Sequence, residues 1–163
     1  MSKKVALAAA LAAALISNSA LAGTATTTMP VTATITGTCT ATGNTLNFGS
    51  IVTIIGVDTD VSATVDVTCT NLLPYNIGIN DGLHAGVAVH ARNMDNAGTS
   101  LGYQIYKDAL RTVVVDAPGG TNVIGGTGSG AVQNVNIYGR IPQQLATPAS
   151  GTYTDTLNVT VTY

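Results

Sequence analysis

Thr27-Thr28-Met29-Pro30-Val31-Thr32-Ala33-Thr34-Ile35-Thr36 puts Met29, Val31, Ala33 and Ile35 on one face of an extended chain. Thr28, Pro30, Thr32, Thr34 and Thr36 fall on the other. A repeat of two is the period of a half-buried β-strand. Ten residues at roughly 3.3 Å each reach about 33 Å, the length of a small sandwich. The same period returns downstream, in Val61, Ala63, Val65, Val67 and Cys69 set against Ser62, Thr64, Asp66 and Thr68. Tyr75, Ile77 and Ile79 repeat it, as do Leu101, Tyr103 and Ile105, and Ala131 to Ile141 up to the stop at Pro142. The last stretch alternates Tyr153, Leu157, Val159, Val161 and Tyr163 with Thr154, Thr156, Asn158, Thr160 and Thr162.

Further strands are expected at Asn44 to Ile51, with Leu46 and Phe48 inward and a bend at Gly49, and at Val113 to Val115. Val52 to Ile55 is a short apolar run closed by Gly56. Leu72-Leu73-Pro74 and Asn80-Asp81-Gly82 read as turns. Leu83 to Thr99 reads as a hairpin or long surface loop, and Gly119 to Gly130 as a flexible connection. After the first 22 residues no stretch has a helical period. The chain is therefore read as all-β, a sandwich of short strands.

Lys3 and Lys4, the apolar run Val5 to Ile16, and Ala20-Leu21-Ala22 have the form of a secretory signal, with cleavage between Ala22 and Gly23. The apolar run is shorter than the ~20 residues that span a bilayer. The expected organisation is a signal peptide at 1–22, a leading strand at 23–36 and a β-sandwich domain at 37–163. The full chain carries six Lys and Arg against eight Asp and Glu, a net charge of −2. Removing Lys3 and Lys4 leaves four basic residues against eight Asp, a net charge of −4. Those four do not cluster, so nothing could neutralise a run of phosphates, and nucleic acid is not an expected partner. Cys39 and Cys69 are the only cysteines. In an exported protein an even pair implies a disulfide, and two thiols with no nearby His are too few ligands for a metal. Closing the 29 intervening residues is worth roughly 3–4 kcal/mol in the chain-entropy model.

Catalytic patterns lack their contexts. Gly98-Thr99-Ser100-Leu101-Gly102 matches G-x-S-x-G, but a strand pattern follows Ser100, and both His84 and His90 precede it. Gly125 to Gly130 has no Lys-Ser/Thr and opens no helix pattern, unlike a phosphate loop. His84 and His90, with Asp81 and Asp95, are a sparse ligand set for a metal and read as solvated side chains of a loop. With scattered Asp and no Glu, a paired-carboxylate site has no basis. Asn158-Val159-Thr160 fits a glycosylation sequon but lies within a strand pattern. The expectation is a non-enzyme with no cofactor and no small-molecule substrate.

Tyr138-Gly139-Arg140-Ile141-Pro142, Pro148 to Leu157 and Val159 to Tyr163 together resemble the spore coat protein U domain. Tyr103 to Asp108 and the approach from Ile35 to Cys39 carry the same likeness. That domain is found in subunits of archaic, Csu-type chaperone–usher pili. The resemblance implies an incomplete immunoglobulin-like β-sandwich, completed by donor-strand complementation. It implies as partners a periplasmic chaperone, an outer-membrane usher and identical or related subunits, with export through the periplasm to a surface fimbrium serving adhesion and biofilm formation. Carried onto this chain, Met29, Val31, Ala33 and Ile35 would be donor residues filling a neighbour's pockets. Leu157, Val159 and Val161 would line the acceptor groove, and the Tyr163 carboxylate would meet basic chaperone residues. Pro30 departs from an ideal donor because it brings no N–H, which is tolerated near a strand's start. The competing expectation is a monomeric secreted or surface-coat binding protein whose N-terminal strand completes its own sandwich.

Overall fold

The structure is a computed structural model that describes residues 22–52 and 55–163. The signal-peptide reading of 1–22 lies almost wholly outside the described residues, as does the middle of the Val52-to-Ile55 run. The chain divides into two units, Met1–Thr34 and Ile35–Tyr163. In the first, residues 22–34 carry no strand, and Met29 and Val31 are 82% and 84% exposed.

The second unit holds eight strands among the described residues: β1 (Cys39–Gly43), β2 (Thr59–Cys69), β3 (Pro74–Ile79), β4 (Arg92–Asn96), β5 (Thr99–Tyr106), β6 (Ile124–Thr127), β7 (Val132–Ile141) and β8 (Val159–Thr162). They form a five-stranded sheet in the order β1-β2-β7-β5-β4 and a three-stranded sheet in the order β6-β3-β8. The named pairs are antiparallel. Val65, Val67 and Cys69 of β2, Leu101, Tyr103 and Ile105 of β5, and Ile137 and Ile141 of β7 meet Tyr75, Ile77 and Ile79 of β3 in one core. These are the alternate residues on which the expected strands rested. The all-β, immunoglobulin-like sandwich is thus present.

Several local expectations are corrected. Asn44 to Ile51 is not a strand. Leu46 and Phe48 do turn inward, and Gly49, at φ 71°, bends the chain while its N–H bonds Asn47 Oδ1 at 2.8 Å. The strand lies earlier, at β1, where C-T-A-T-G offers almost no apolar face because β1 is a sheet edge. Gly119 to Gly130 contains β6, whose Gly126 faces Tyr75 across the ladder. A side chain at Gly126 would collide with the Tyr75 ring, so glycine here makes room for an aromatic rather than loosening a loop. Val113 to Val115 forms only a bridge, Val114 to Tyr106, with Val115 buried.

The Leu83-to-Thr99 region resolves into an irregular loop followed by a β4–β5 hairpin. Ala97 and Gly98 take φ of 48° and 87°, the two left-handed residues of a type I′ turn. Ser100 of the G-x-S-x-G pattern pairs with Asp95 inside this hairpin.

Candidate functional site

Two adjoining cavities, of about 640 and 500 Å³, share Leu46, Phe48, Met94 and Tyr153 in their walls. Together they form a groove within the sandwich unit. One wall is the irregular segment after β1, with Leu46, Phe48 and Ile51 half-buried. The other is the C-terminal segment from Thr147 to Val159. Between these walls the groove reaches Leu101 and Ile141 in the first cavity, and Val65, Ile79, Tyr103 and Ile137 in the second. Those are residues of the main core. The groove is thus a gap in the cover of an apolar interior, lined mainly by aliphatic and aromatic side chains.

Glycine at 139 shapes the first wall. It lies opposite Val61 in β2, on the inward side of β7. A β-carbon there would lie 2.7 Å from Leu46 Cδ2 and 3.0 Å from Phe48 Cζ. Bare backbone at this point lets both side chains settle onto the sheet.

The second wall is held loosely. Thr154 exchanges backbone hydrogen bonds of 2.9 and 3.1 Å with Asp95 in the five-stranded sheet. Farther on, Asn80 bonds Asn158 through its N–H at 3.1 Å and its side-chain oxygen at 2.8 Å. Only at Val159 does a regular ladder begin, with β3 of the other sheet. The segment therefore passes from one sheet to the other along the groove. From Tyr153 on, its half-buried positions are Tyr153, Asp155 and Leu157, continued by Val159 and Val161 in β8, so the period of two already holds at 153–158, where no strand is formed.

Of the residues expected in the groove, Leu157 and Val159 line the second cavity. Val161 packs against the core opposite Ile77 and is not among the residues lining the two cavities, and Tyr163, expected at the chaperone contact, is 62% exposed. Met29, Val31, Ala33 and Ile35 are all exposed, and residues 27–36 carry no strand. Cys39 and Cys69 are bonded, joining the first residue of β1 to the last of β2. Ala22 and Gly23 are exposed.

The histidines are engaged rather than simply solvated. His84 Nδ1 lies 3.2 Å from Asp155, and His90 stands between Asp116 at 3.1 Å and Asp81 at 3.6 Å. Beside them Arg92, 1% exposed, donates to the carbonyls of Ile79, Asn80 and Val115. Among the described residues no group of three or more His, Cys, Asp or Glu side chains could hold a metal.

Sequence reasoning missed Asp155 and Tyr103 as partners. Asp155 accepts a 2.6 Å hydrogen bond from the Tyr103 hydroxyl. Burial, and then this bond to a carboxylate, push the Tyr103 phenol above its ordinary range and keep it a donor. The available signal was positional, because Asp155 falls on the inward row between Tyr153 and Leu157.

The Spore Coat Protein U domain model matches residues 25–160. No curated protein matches the chain. Among solved structures, the chain is similar to the CsuC–CsuE chaperone–tip adhesion subunit pre-assembly complex from archaic chaperone–usher Csu pili of Acinetobacter baumannii, with TM-score 0.59 and 22% identity. That match covers 80% of this chain and 40% of the other, so this chain spans two fifths of the neighbour's length. The P pilus rod subunit PapA aligns with TM-score 0.47 and 16% identity, over 77% of this chain and 98% of that one. The first likeness places the fold among the two-sheet sandwiches.

Proposed function

This chain belongs to the Spore Coat Protein U domain family, and from that premise we propose that it is a structural subunit of an archaic chaperone–usher pilus. The observation that carries the reading is the pairing of two incomplete features. The sandwich has an apolar groove bounded by its C-terminal segment, and the N-terminal segment displays Met29, Val31 and Ile35 to solvent at alternate positions. Each is what the other lacks. An extended segment laid along the groove would add main-chain hydrogen bonds to the unladdered wall and fill the cavities with every second side chain. In assembly the donor comes from the next subunit, and before assembly a periplasmic chaperone lends the strand. An outer-membrane usher exports the growing fibre to the cell surface, where it serves adhesion and biofilm formation. Leu157 and Val159 are assigned to the acceptor groove, Val161 to its continuation along β8, and the Tyr163 carboxylate to chaperone contact. Signal cleavage is assigned between Ala22 and Gly23.

Deleting 23–36 from a chain produced with its chaperone and usher tests the assignment. The deleted subunit should still be recovered bound to the chaperone, while ladders resistant to sodium dodecyl sulfate disappear. Loss of the chaperone complex on deletion would show instead that the segment completes its own sandwich, and ladders that persist would mean that another segment is the donor.

A further inference from the structure

The inward row of the C-terminal segment contains one residue of opposite polarity to its neighbours. Asp155 stands between Tyr153 and Leu157 with its side chain 3% exposed, and it lines the second cavity. A carboxylate so placed gives up its hydration and persists only where fixed donors replace water. Here the donors are the Tyr103 hydroxyl at 2.6 Å, the Leu83 amide at 3.0 Å and the His84 amide at 3.3 Å, with His84 Nδ1 at 3.2 Å. Gly82, at φ 90°, closes the cradle, since a β-carbon there would overlap the Asp155 carboxylate. The turn at 82–84 is built around this one group.

An alternating row of aliphatic residues does not determine its own register. Sliding the segment by two residues keeps an inward row inward, and Leu157, Val159 and Val161 are nearly interchangeable. The same slide would strip the Tyr103 hydroxyl and the Leu83 and His84 amides of their acceptor and leave the carboxylate unpaired, at a cost an apolar row alone cannot impose. Besides this cluster, the hydrogen bonds of residues 152–158 to the rest of the sandwich among the described residues are the Thr154–Asp95 bridge and the Asn80–Asn158 bonds, the Tyr153 hydroxyl bonding only back to Ala149 within the same segment. The geometry points to Asp155 as the register lock of the acceptor wall. Held by Tyr103 and the 82–84 turn, it fixes which inward residue faces each part of the groove, and thereby which of Met29, Val31, Ala33 and Ile35 comes to lie beside it. This role rests on the donor-strand reading above.

The test uses the full mature chain with Leu157→Cys combined, one at a time, with Met29→Cys, Val31→Cys, Ala33→Cys or Ile35→Cys, assembled and then oxidised. A disulfide forms only between directly opposed positions, so one donor position should exceed the others by at least about fivefold in intermolecular cross-link. Adding Asp155→Leu should spread the cross-link over two or more donor positions, and Tyr103→Phe should spread it less. Should Asp155→Leu fail to fold, Asp155→Asn and Tyr103→Phe decide the matter. A single dominant position unchanged in every variant that folds would overturn the lock and leave the donor assignment standing. Absence of cross-link from all four positions in a native-background chain that still assembles would overturn the donor assignment, and the lock with it.

Discussion

Gly139 and Arg92 show how single residues set this sandwich. A Gly139→Ala methyl has no space beneath Leu46 and Phe48, so overpacking should lower stability by about 1–3 kcal/mol in urea unfolding. It should also push the first groove wall outward. Arg92→Leu removes the donor shared by the carbonyls of Ile79, Asn80 and Val115, together with the 3.4 Å partner of Asp81; leaving the buried carbonyls of Ile79 and Val115 without a donor should cost about 1–3 kcal/mol or more in the same measurement. Tyr103 makes a prediction about pH. Its folded phenol is held above its ordinary range, by burial first and by Asp155 second. The unfolded phenol ionises near pH 10, so the stabilisation is complete below about pH 10 and is lost as the pH rises beyond it. Melting temperatures taken from pH 7 to 11 should fall more steeply for the native chain than for Tyr103→Phe. None of these three roles stands out in the sequence. A Tyr on an inward row, a lone Arg in an irregular stretch and a Gly in a strand acquire meaning only from partners 12 to 93 positions away.

At the level of elements, β2, β3, β5 and β7 were legible because each buries one face and exposes the other, so sequence period and burial coincide. β1 and β6 were not. An edge strand such as C-T-A-T-G has little to bury, and I-G-G-T owes its flatness to the Tyr75 ring above it. The groove was half legible. Leu157 and Val159 follow from the C-terminal alternation, and Leu46 and Phe48 from the inward pair read at 44–51, whereas Met94 sits in β4, a strand of mostly polar residues with no apolar period to mark it. The Cys39–Cys69 bond bears directly on β1, an edge strand laddered only to β2 among the described strands. Replacing both cysteines by serine should lower stability by roughly 3–4 kcal/mol. Hydrogen exchange should show the amides of 40–43 losing protection before those of β7.

For the whole molecule, strand addition predicts an asymmetry between the two faces of the N-terminal segment. Val31→Asp or Ile35→Asp would bring a charge into an apolar groove, which is prohibitive without a partner. Each should abolish polymer formation in ladder assays while leaving the chaperone-bound subunit intact. Thr32→Asp or Thr34→Asp should assemble nearly as the native chain does, and equal sensitivity of both faces would refute the assigned register. The disulfide then takes on a mechanical meaning. In a fibre built as proposed, a pull on one subunit enters through the segment before Cys39. It need not peel the five residues of β1, because the covalent bridge hands the tension at once to the end of β2. There it meets ten paired positions with β7 loaded in parallel, in shear. Two sulfur atoms thus let an edge strand of the sheet lie in the path of the load without bearing it.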